Sequence, residues 1–269
     1  NIASNNKMYL SQKQIDDYQN YGAIIIKDAF KDWIEPLRNG FQKVLDNPSQ
    51  HGRENVKENE GRFFEDYCNW ERIKEFKDCM FNSPAAQIVA EATNSKSIQI
   101  FHDHLFIKDP GTNKETPWHQ DMPYYCVDGD DTGSFWIPLD EVNKENNLKL
   151  ILRSHKWQKL LRPTKWSNNQ SWYEDDSSFM YLPKKEEFKE DILVPDLKLG
   201  DAVLFNFKTV HGSTGNQSSQ SRRAFSMRFI GDDVTFTERG GPTSPPFDGI
   251  NLKSGDRMRE DWFPKVFSN

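Results

Sequence analysis

The apolar positions in the first third of the chain repeat with the period of a helix. Ser11 precedes such an amphipathic run as a candidate N-cap, and Gly22 follows it as a stop signal. The next segment, AIIIKDAF, is a short apolar run that predicts a buried strand. In order, the pattern predicts a helix over 12–21, a strand over 23–30, a helix over 32–47, a polar surface loop over 48–62 and a helix over 69–94.

After Ser97 the pattern changes to short apolar runs separated by turn residues. These runs predict strands over 97–109, 116–122, 133–142, 148–155, 201–213 and 222–233. Helices followed by a series of strands indicate an α+β fold whose β part is a sandwich or a barrel. Residues 157–195 are polar and rich in tryptophan and lysine, so we expect an insertion of the kind that often forms an active-site lid.

The composition excludes several classes of protein. With 269 residues, of which 35% are hydrophobic, the chain is long enough for one large domain with its own core. Its 35 Lys and Arg residues against 41 Asp and Glu residues give a net charge of -6. This charge provides no general attraction to nucleic acid or to an anionic membrane. We therefore expect a small-molecule substrate as the partner, and a monomer or weak homodimer.

The expected location is the cytoplasm. No apolar run is long enough to cross a membrane, and the first residues lack the layout of a signal peptide. The three cysteines, Cys68, Cys79 and Cys126, are too few and too irregularly spaced for a disulfide framework or a thiolate metal site. We expect all three to be reduced thiols.

The segment TPWHQDMPYY contains the main candidates for chemistry. Alternate side chains of a strand point to the same face, so His119 and Asp121 are expected to project together while Gln120 points away. His211, which follows the strand-like GDAVLFNFKTV, is the histidine best placed to complete a metal site. Two histidines and one carboxylate leave one face of an octahedral ion open, as in non-haem Fe(II) oxygenases. A zinc hydrolase could use the same ligand types, although the His-Glu-x-x-His signature is absent.

The last predicted strand supplies a candidate anion site. One face carries bulky apolar residues suited to packing under helices, namely Phe225, Met227 and Phe229 beside Arg223. The other face is small and polar with an arginine at each end, namely Arg222, Ala224, Ser226 and Arg228. An arginine close to a metal-binding histidine could hold the distal carboxylate of a dicarboxylate in a bidentate pair, with help from the Ser213 hydroxyl.

Four stretches together resemble the phytanoyl-CoA dioxygenase family of Fe(II)/2-oxoglutarate oxygenases: PWHQDMPYY, FWIPLDEV, SHKW and GDAVLFNFKTVHGSTGNQSSQSRR. The resemblance runs from about Tyr18 to about Val234. It implies a double-stranded β-helix, or jelly roll, braced by helices, with Fe(II) as the metal and 2-oxoglutarate and dioxygen as cosubstrates. The catalytic metal ligands that it implies are His119, Asp121 and His211. The 2-oxoglutarate contacts that it implies are Arg222, Ser213 and Trp136.

The resemblance also implies an organisation for the chain. We expect a single domain over 1–269, with helical support mainly in 1–96, a jelly-roll core over about 97–235 and the lid-like insertion over about 157–195. Arg153 departs from the family pattern, because it replaces a glycine near the mouth of the site. Asp121 is present, whereas related halogenases have a small residue in its place.

The expected activity is hydroxylation of an unactivated C–H bond of a small molecule, with release of succinate and CO2. Desaturation or ring closure by the same cofactor chemistry is an alternative, and so is a metal-binding jelly-roll protein without turnover. The candidate substrate contacts are His104, Tyr124, Tyr125 and Arg228. His102 shares the predicted strand face of His104, whereas His155 is expected to be structural and His51 to be solvated.

Overall fold

The computed structural model of the chain describes residues 7–55 and 60–269. The helices in these ranges are α1 (Gln12–Tyr21), α2 (Ile34–Asp46), α3 (Lys74–Asn82), α4 (Ala85–Thr93) and the single turn α5 (Lys185–Phe188). Ser11 and Gln14 form a capping box at the start of α1. Gly22 ends the helix in the left-handed conformation, with a φ of 78°. The first predicted helix and both of its boundary signals are confirmed.

The predicted helix over 69–94 is wrong in one respect, because this segment forms the two helices α3 and α4. Pro84 lies between them, and a proline has no amide hydrogen with which to continue the hydrogen bonds of a preceding helix. The predicted loop over 48–62 falls partly outside the described residues. Its described part contains a short strand at residues 53–54.

The strands fall into two larger antiparallel sheets and one short pair. Their bounds are β1 (Ala23–Ile26), β2 (Arg53–Glu54), β3 (Phe63–Tyr67), β4 (Ser97–Lys108), β5 (Thr116–His119), β6 (Val127–Asp128), β7 (Thr132–Pro138), β8 (Leu148–Ile151), β9 (Ile192–Leu193), β10 (Ala202–Phe205), β11 (His211–Ser213), β12 (Arg222–Ile230), β13 (Thr235–Phe236) and β14 (Lys265–Ser268). The larger sheet has the order β1-β10-β7-β12-β4-β3-β2, with β14 also paired to β4. The smaller sheet has the order β5-β11-β8-β9, and β6 pairs with β13.

The helices pack on one face of the larger sheet. Phe225, Met227 and Phe229 of β12 are buried there in one apolar cluster with residues of all four long helices. Phe76 of α3 stacks on Phe225, with the ring centroids 4.3 Å apart. The predicted division of β12 into an apolar face and a polar face is therefore confirmed. The opposite face of the larger sheet meets the smaller sheet in a second apolar cluster that includes Leu150 of β8.

Three strands of the larger sheet, β1, β2 and β3, come from the part of the chain that was expected to give mainly helices. β3 was not predicted, because all five of its residues are buried and its sequence FFEDY lacks the alternation that marks a half-exposed strand. The three cysteines are free thiols, as expected. Within the described ranges, no helix combines the length and the apolar character needed to cross a membrane. The single-domain organisation remains a prediction.

Candidate metal and cosubstrate site

The pairing of two short strands brings His119 and His211 together. They are direct partners in the antiparallel pair of β5 and β11, and their ring centroids lie 4.3 Å apart. Strand alternation, which was expected to place Asp121 beside them, is the wrong explanation. β5 ends at His119, and Asp121 has helical dihedral angles, with φ -78° and ψ -38°, at the start of a short 3-10 turn. This turn directs the carboxylate of Asp121 back toward the two imidazoles.

The three side chains form a buried cluster that could hold a metal ion. One ligand atom from each, of His119, Asp121 and His211, lies within 4.8 Å of the others. Asp121 Oδ1 is 3.3 Å from His119 Nε2 and 3.6 Å from His211 Nε2. Each histidine directs its other ring nitrogen to a backbone carbonyl, Pro117 O at 2.8 Å and Thr209 O at 3.0 Å. Donation to these carbonyls leaves the Nε2 lone pairs facing the centre, as in metal-binding histidines.

The electrostatics of the cluster favour a cation. Burial alone would raise the pKa of Asp121, but its interactions with His211, Arg228 and His119 hold it well below its ordinary value. Burial lowers the pKa of His211 to about 4. At neutral pH the cluster therefore offers a carboxylate and a neutral imidazole, which are the protonation states that bind metals.

Two buried cations lie beside the cluster. Arg222 on β12 and Lys108 on β4 are register partners, and both are almost completely buried. Arg222 donates from Nη1 to Asn146 O at 2.9 Å, and its guanidinium lies 5.4 Å from the centroid of the Trp136 ring. Its Nε atom has no hydrogen-bond partner in the described part of the chain. Although burial lowers the pKa of Arg222 to about 10, the guanidinium remains charged at neutral pH.

Lys108 is held by neutral oxygens. Its Nζ donates to Ser213 Oγ at 2.9 Å, to Thr116 Oγ1 at 3.0 Å and to Thr214 O at 3.0 Å. The pKa of Lys108 lies well below its ordinary value, because burial and then the neighbouring Arg222 oppose its charge. Among the described residues, no carboxylate forms an ion pair with either Lys108 or Arg222. A buried anion is the ligand that would satisfy both cations.

The role of Lys108 was missed at the level of the sequence. The signal was present, because a lysine in a strand that is otherwise buried must find a polar partner inside the protein.

All of the predicted site residues line one cavity of about 910 Å3, a volume that includes some open solvent. The residues in question are His119, Asp121, His211, Arg222, Ser213, Trp136, His104, Tyr124, Tyr125 and Arg228. Glu65 and Tyr67 of β3 also line this cavity.

The 157–195 insertion reaches the same cavity. Trp166 packs edge-on against the ring of His119, with the ring centroids 5.0 Å apart. Tyr124 anchors this segment, since its hydroxyl donates to Thr164 O at 2.7 Å and accepts from Thr164 N at 2.8 Å. Trp172 packs edge-on against the ring of Tyr124, and its Nε1 donates to Pro242 O at 2.7 Å. The insertion therefore covers the metal cluster with aromatic rings.

Three residues for which the sequence suggested other roles, His155, Arg153 and His51, lie in different environments. His155 lies outside its lining and its Nε2 contacts Gln19 O at 2.9 Å, in keeping with the expected structural role. Arg153 adopts a left-handed conformation, with a φ of 70°, which explains why a glycine suits this position. Its guanidinium pairs with Asp191 and lies outside the lining of the cavity. His51 is half-buried and stacks on Tyr67, instead of being solvated.

Comparison with known proteins places this geometry in context. The family model described as phytanoyl-CoA dioxygenase (PhyH) matches residues 18–224. A phytanoyl-CoA dioxygenase of Arabidopsis thaliana is 23% identical over 159 residues, which are 59% of this chain and 53% of the relative. The chain thus spans about half the length of the curated relatives that it matches.

Two solved structures have similar folds at low identity. The non-haem α-ketoglutarate-dependent carbocyclase SnoK from nogalamycin biosynthesis matches with a TM-score of 0.71 and 17% identity, covering 96% of each chain. The epimerase SnoN, in complex with Fe3+, α-ketoglutarate and nogalamycin RO, matches with a TM-score of 0.75 and 13% identity, covering 95% of this chain and 98% of SnoN. Both likenesses support an α+β fold with a cupin-like β core.

Proposed function

Because the chain belongs to the phytanoyl-CoA dioxygenase family, we propose that it is a non-haem Fe(II)- and 2-oxoglutarate-dependent oxygenase that acts on a small molecule. The family and the fold class predicted from the sequence are confirmed. The predicted enzyme class and the predicted cofactors, iron and 2-oxoglutarate, are supported by the family, by the cluster of His119, Asp121 and His211, and by the iron and α-ketoglutarate bound in SnoN.

One observation carries this proposal. The three-residue metal cluster and the buried Arg222 line one cavity, and the buried Lys108 is the register partner of Arg222. Neither cation has a carboxylate partner among the described residues. A cosubstrate that chelates the metal at one end and carries a carboxylate at the other end matches this arrangement. 2-Oxoglutarate has these two features, since its keto acid end can chelate and its far carboxylate can meet the cations.

Each residue has a distinct task in the proposed reaction. His119, Asp121 and His211 hold Fe(II) and leave the rest of its coordination sphere open. Arg222 and Lys108 bind the far carboxylate of 2-oxoglutarate, while Ser213 adds a hydroxyl contact and Trp136 forms the wall beneath the guanidinium. Bound at this site with its cosubstrates, the iron supplies the oxidising power that attacks an unactivated C–H bond, with release of succinate and CO2.

The aromatic residues of the cavity exclude water from the reacting centre. Trp166 lies against His119, and Tyr124 and Tyr125 line the cavity wall on the same side. A dry wall limits side reactions of a strong oxidant, and its rings offer stacking surfaces to an organic substrate. His104 and Arg228 provide the polar part of the same wall. Hydroxylation is the proposed outcome, and product analysis separates it from desaturation and ring closure.

Anaerobic titration of the Fe(II)-loaded protein with 2-oxoglutarate tests the proposal directly. We expect a weak visible charge-transfer band in the wild type, and a need for at least about tenfold more 2-oxoglutarate in Arg222→Ala. Arg223→Ala is the matched control, because Arg223 is the next residue on β12 but pairs with Asp140 on the other side of the strand. Absence of the band despite bound iron would contradict the proposal and favour a metal-binding protein without turnover.

A further inference from the structure

The two oxygens of Asp121 face different groups. Oδ1 points to the metal cluster, between the Nε2 atoms of His119 and His211. Oδ2 lies 3.8 Å from Nη2 of Arg228. In the described part of the chain this buried oxygen has no hydrogen-bond partner. A carboxylate in this position could bind a metal through one oxygen or through both, so the group that faces Oδ2 determines which of the two occurs.

Arg228 is itself held in place by two histidines of β4. Its Nη1 atom is 2.8 Å from His104 Nδ1 and 3.2 Å from His102 Nε2. A guanidinium only donates hydrogen bonds, so both of these ring nitrogens must be acceptors without a proton. His104 therefore carries its hydrogen on Nε2, which is directed to Glu65 Oε1 at 3.1 Å.

Glu65 on β3 is the last residue in this series of hydrogen bonds. It is buried, and its second oxygen accepts from Asn55 Nδ2 at 2.7 Å. Burial would raise the pKa of the Glu65 carboxyl. The hydrogen bond with His104, together with nearby positive charges and the hydrogen bond from Asn55, keeps this pKa below its ordinary value. An ionised Glu65 thus orients a neutral His104, and His104 in turn orients Arg228. The three side chains lie on the adjacent strands β3, β4 and β12.

We propose that Arg228 is a positioning residue for the metal ligand Asp121, fixed by the Glu65–His104 pair. The positive charge of Arg228 attracts Oδ2 across the 3.8 Å that separates it from Nη2, so that Asp121 presents only Oδ1 to the metal. A carboxylate that bound through both oxygens would occupy a coordination position that the cosubstrate needs. This inference rests on the proposed function, because it assumes that the cluster binds a metal and 2-oxoglutarate together.

Metal affinity alone does not test the inference. Loss of the guanidinium frees the carboxylate, which weakens its orientation, and it also removes a positive charge close to the metal, which favours binding. The coordination mode is the property that separates Arg228 from a residue with a merely structural role. Co(II) in place of Fe(II) reports this mode through the position and intensity of its visible absorption bands.

The experiment compares the Co(II) spectra of wild type, Arg228→Gln and the control Arg223→Gln, before and during titration with 2-oxoglutarate. In Arg228→Gln we expect an altered spectrum before any cosubstrate is added, and a need for at least about tenfold more 2-oxoglutarate to change it. Arg223→Gln should match the wild type. Arg228→Lys restores a cationic donor, so it should recover most of the wild-type response.

A wild-type spectrum and a wild-type titration in folded Arg228→Gln would overturn the inference and leave the proposed function intact. A wild-type Co(II) protein that does not respond to 2-oxoglutarate would overturn the proposed function instead. Circular dichroism verifies that each variant is folded. If Arg228→Gln does not fold, Glu65→Gln tests the same chain, since it removes the charge that orients His104. It should give the same spectral change in weaker form, and an unchanged spectrum would overturn the inference.

Discussion

His119 and His211 face each other across two antiparallel strands of the smaller sheet, although they lie far apart in the sequence. The strands β5 and β11 must pair before the Nε2 atoms of the two histidines can converge. A metal that binds here therefore binds the native state and has no equivalent site in the unfolded chain. Once the metal concentration exceeds the dissociation constant, the added stability rises with the logarithm of the ratio of the two.

Added metal should therefore raise the unfolding temperature of the wild type, and His211→Ala should remove this effect. At a metal concentration of about 100 times Kd, the free energy of unfolding should rise by about 2.7 kcal/mol. Differential scanning fluorimetry with Co(II) or Mn(II) measures the shift. His155→Ala, which lies outside the cavity lining, should keep the full response. An equal response in His211→Ala would show that the metal binds elsewhere.

Lys108→Met should weaken 2-oxoglutarate binding without lowering stability. Lys108 is a buried cation with only neutral hydrogen-bond acceptors, so its replacement by an apolar side chain of similar length removes a desolvation cost. We expect at least about a tenfold loss of 2-oxoglutarate affinity by calorimetry, and an unfolding free energy equal to or above that of the wild type. Lys149→Met is the control, because Lys149 lies over the Trp118 ring. Wild-type affinity in Lys108→Met would rule out the carboxylate contact.

Trp166→Ala should make the metal easier to remove. The indole covers one side of the His119 ring, and its loss opens a path for water and chelators to a ligand of the metal. The rate at which a chelator extracts Co(II) should rise several-fold, with little change in overall stability. Trp157→Ala, in the same insertion but packed against Phe188, should leave the rate unchanged. An unchanged rate in Trp166→Ala would mean that the insertion does not shield the metal.

Asp131→Asn should stabilise the protein above about pH 4, with the full effect above about pH 6. Burial, and then the charge of Asp233, raises the pKa of Asp131 from 3.8 to about 6. Ionisation therefore opposes folding, with a penalty that is complete above about pH 6 and absent below about pH 4. The melting temperature of the variant should exceed that of the wild type at about pH 8 and match it at about pH 4. The exposed Asp248, changed to Asn, serves as the control, and a constant difference across this range would contradict the prediction.

Phe76→Ala should lower the free energy of unfolding, because it weakens the packing of α3 against β12. Both rings of the Phe76 and Phe225 stack are completely buried, so the substitution removes apolar contacts and leaves a cavity. The expected loss in the free energy of unfolding is about 3–5 kcal/mol. Chemical denaturation measures it, with the partly exposed Phe81→Ala as the control. A loss below about 1 kcal/mol would indicate that the helices pack on the sheet mainly through other residues.

The sequence was informative where a local rule determines the outcome. Ser11 and Gly22 bound a helix because their capping chemistry acts within a few residues of the chain. The two faces of β12 followed from alternation, because helices cover one face and the cavity lies on the other. The candidate metal ligands His119, Asp121 and His211 were predicted from their residue types and positions, and the resemblance implied the same three residues. None of these steps required knowledge of distant contacts.

The sequence was uninformative where tertiary contacts determine the outcome. β3 carries Glu65 and Asp66 in a fully buried strand. Their hydrogen-bond partners elsewhere in the chain, Ser49 for Asp66 and Asn55 and His104 for Glu65, explain how the fold accepts two buried acids. Asp121 reaches the metal cluster through a turn, although an extended strand was expected. Lys108 and Arg222 become neighbours only when β4 and β12 pair. Such relationships are properties of the sheet and cannot be found along the chain.

The cavity draws its parts from separate structural units. The imidazoles of His119 and His211 come from the smaller sheet and the buried Arg222 comes from the larger one, whereas the rings of Trp166 and Trp172 come from the 157–195 insertion. The insertion begins and ends on the smaller sheet without contributing a metal ligand. A change in its length or sequence can therefore reshape the cavity entrance while the metal cluster and Arg222 stay the same. If the proposed function is correct, evolution of this one insertion would change the choice of substrate and leave the cofactor site intact.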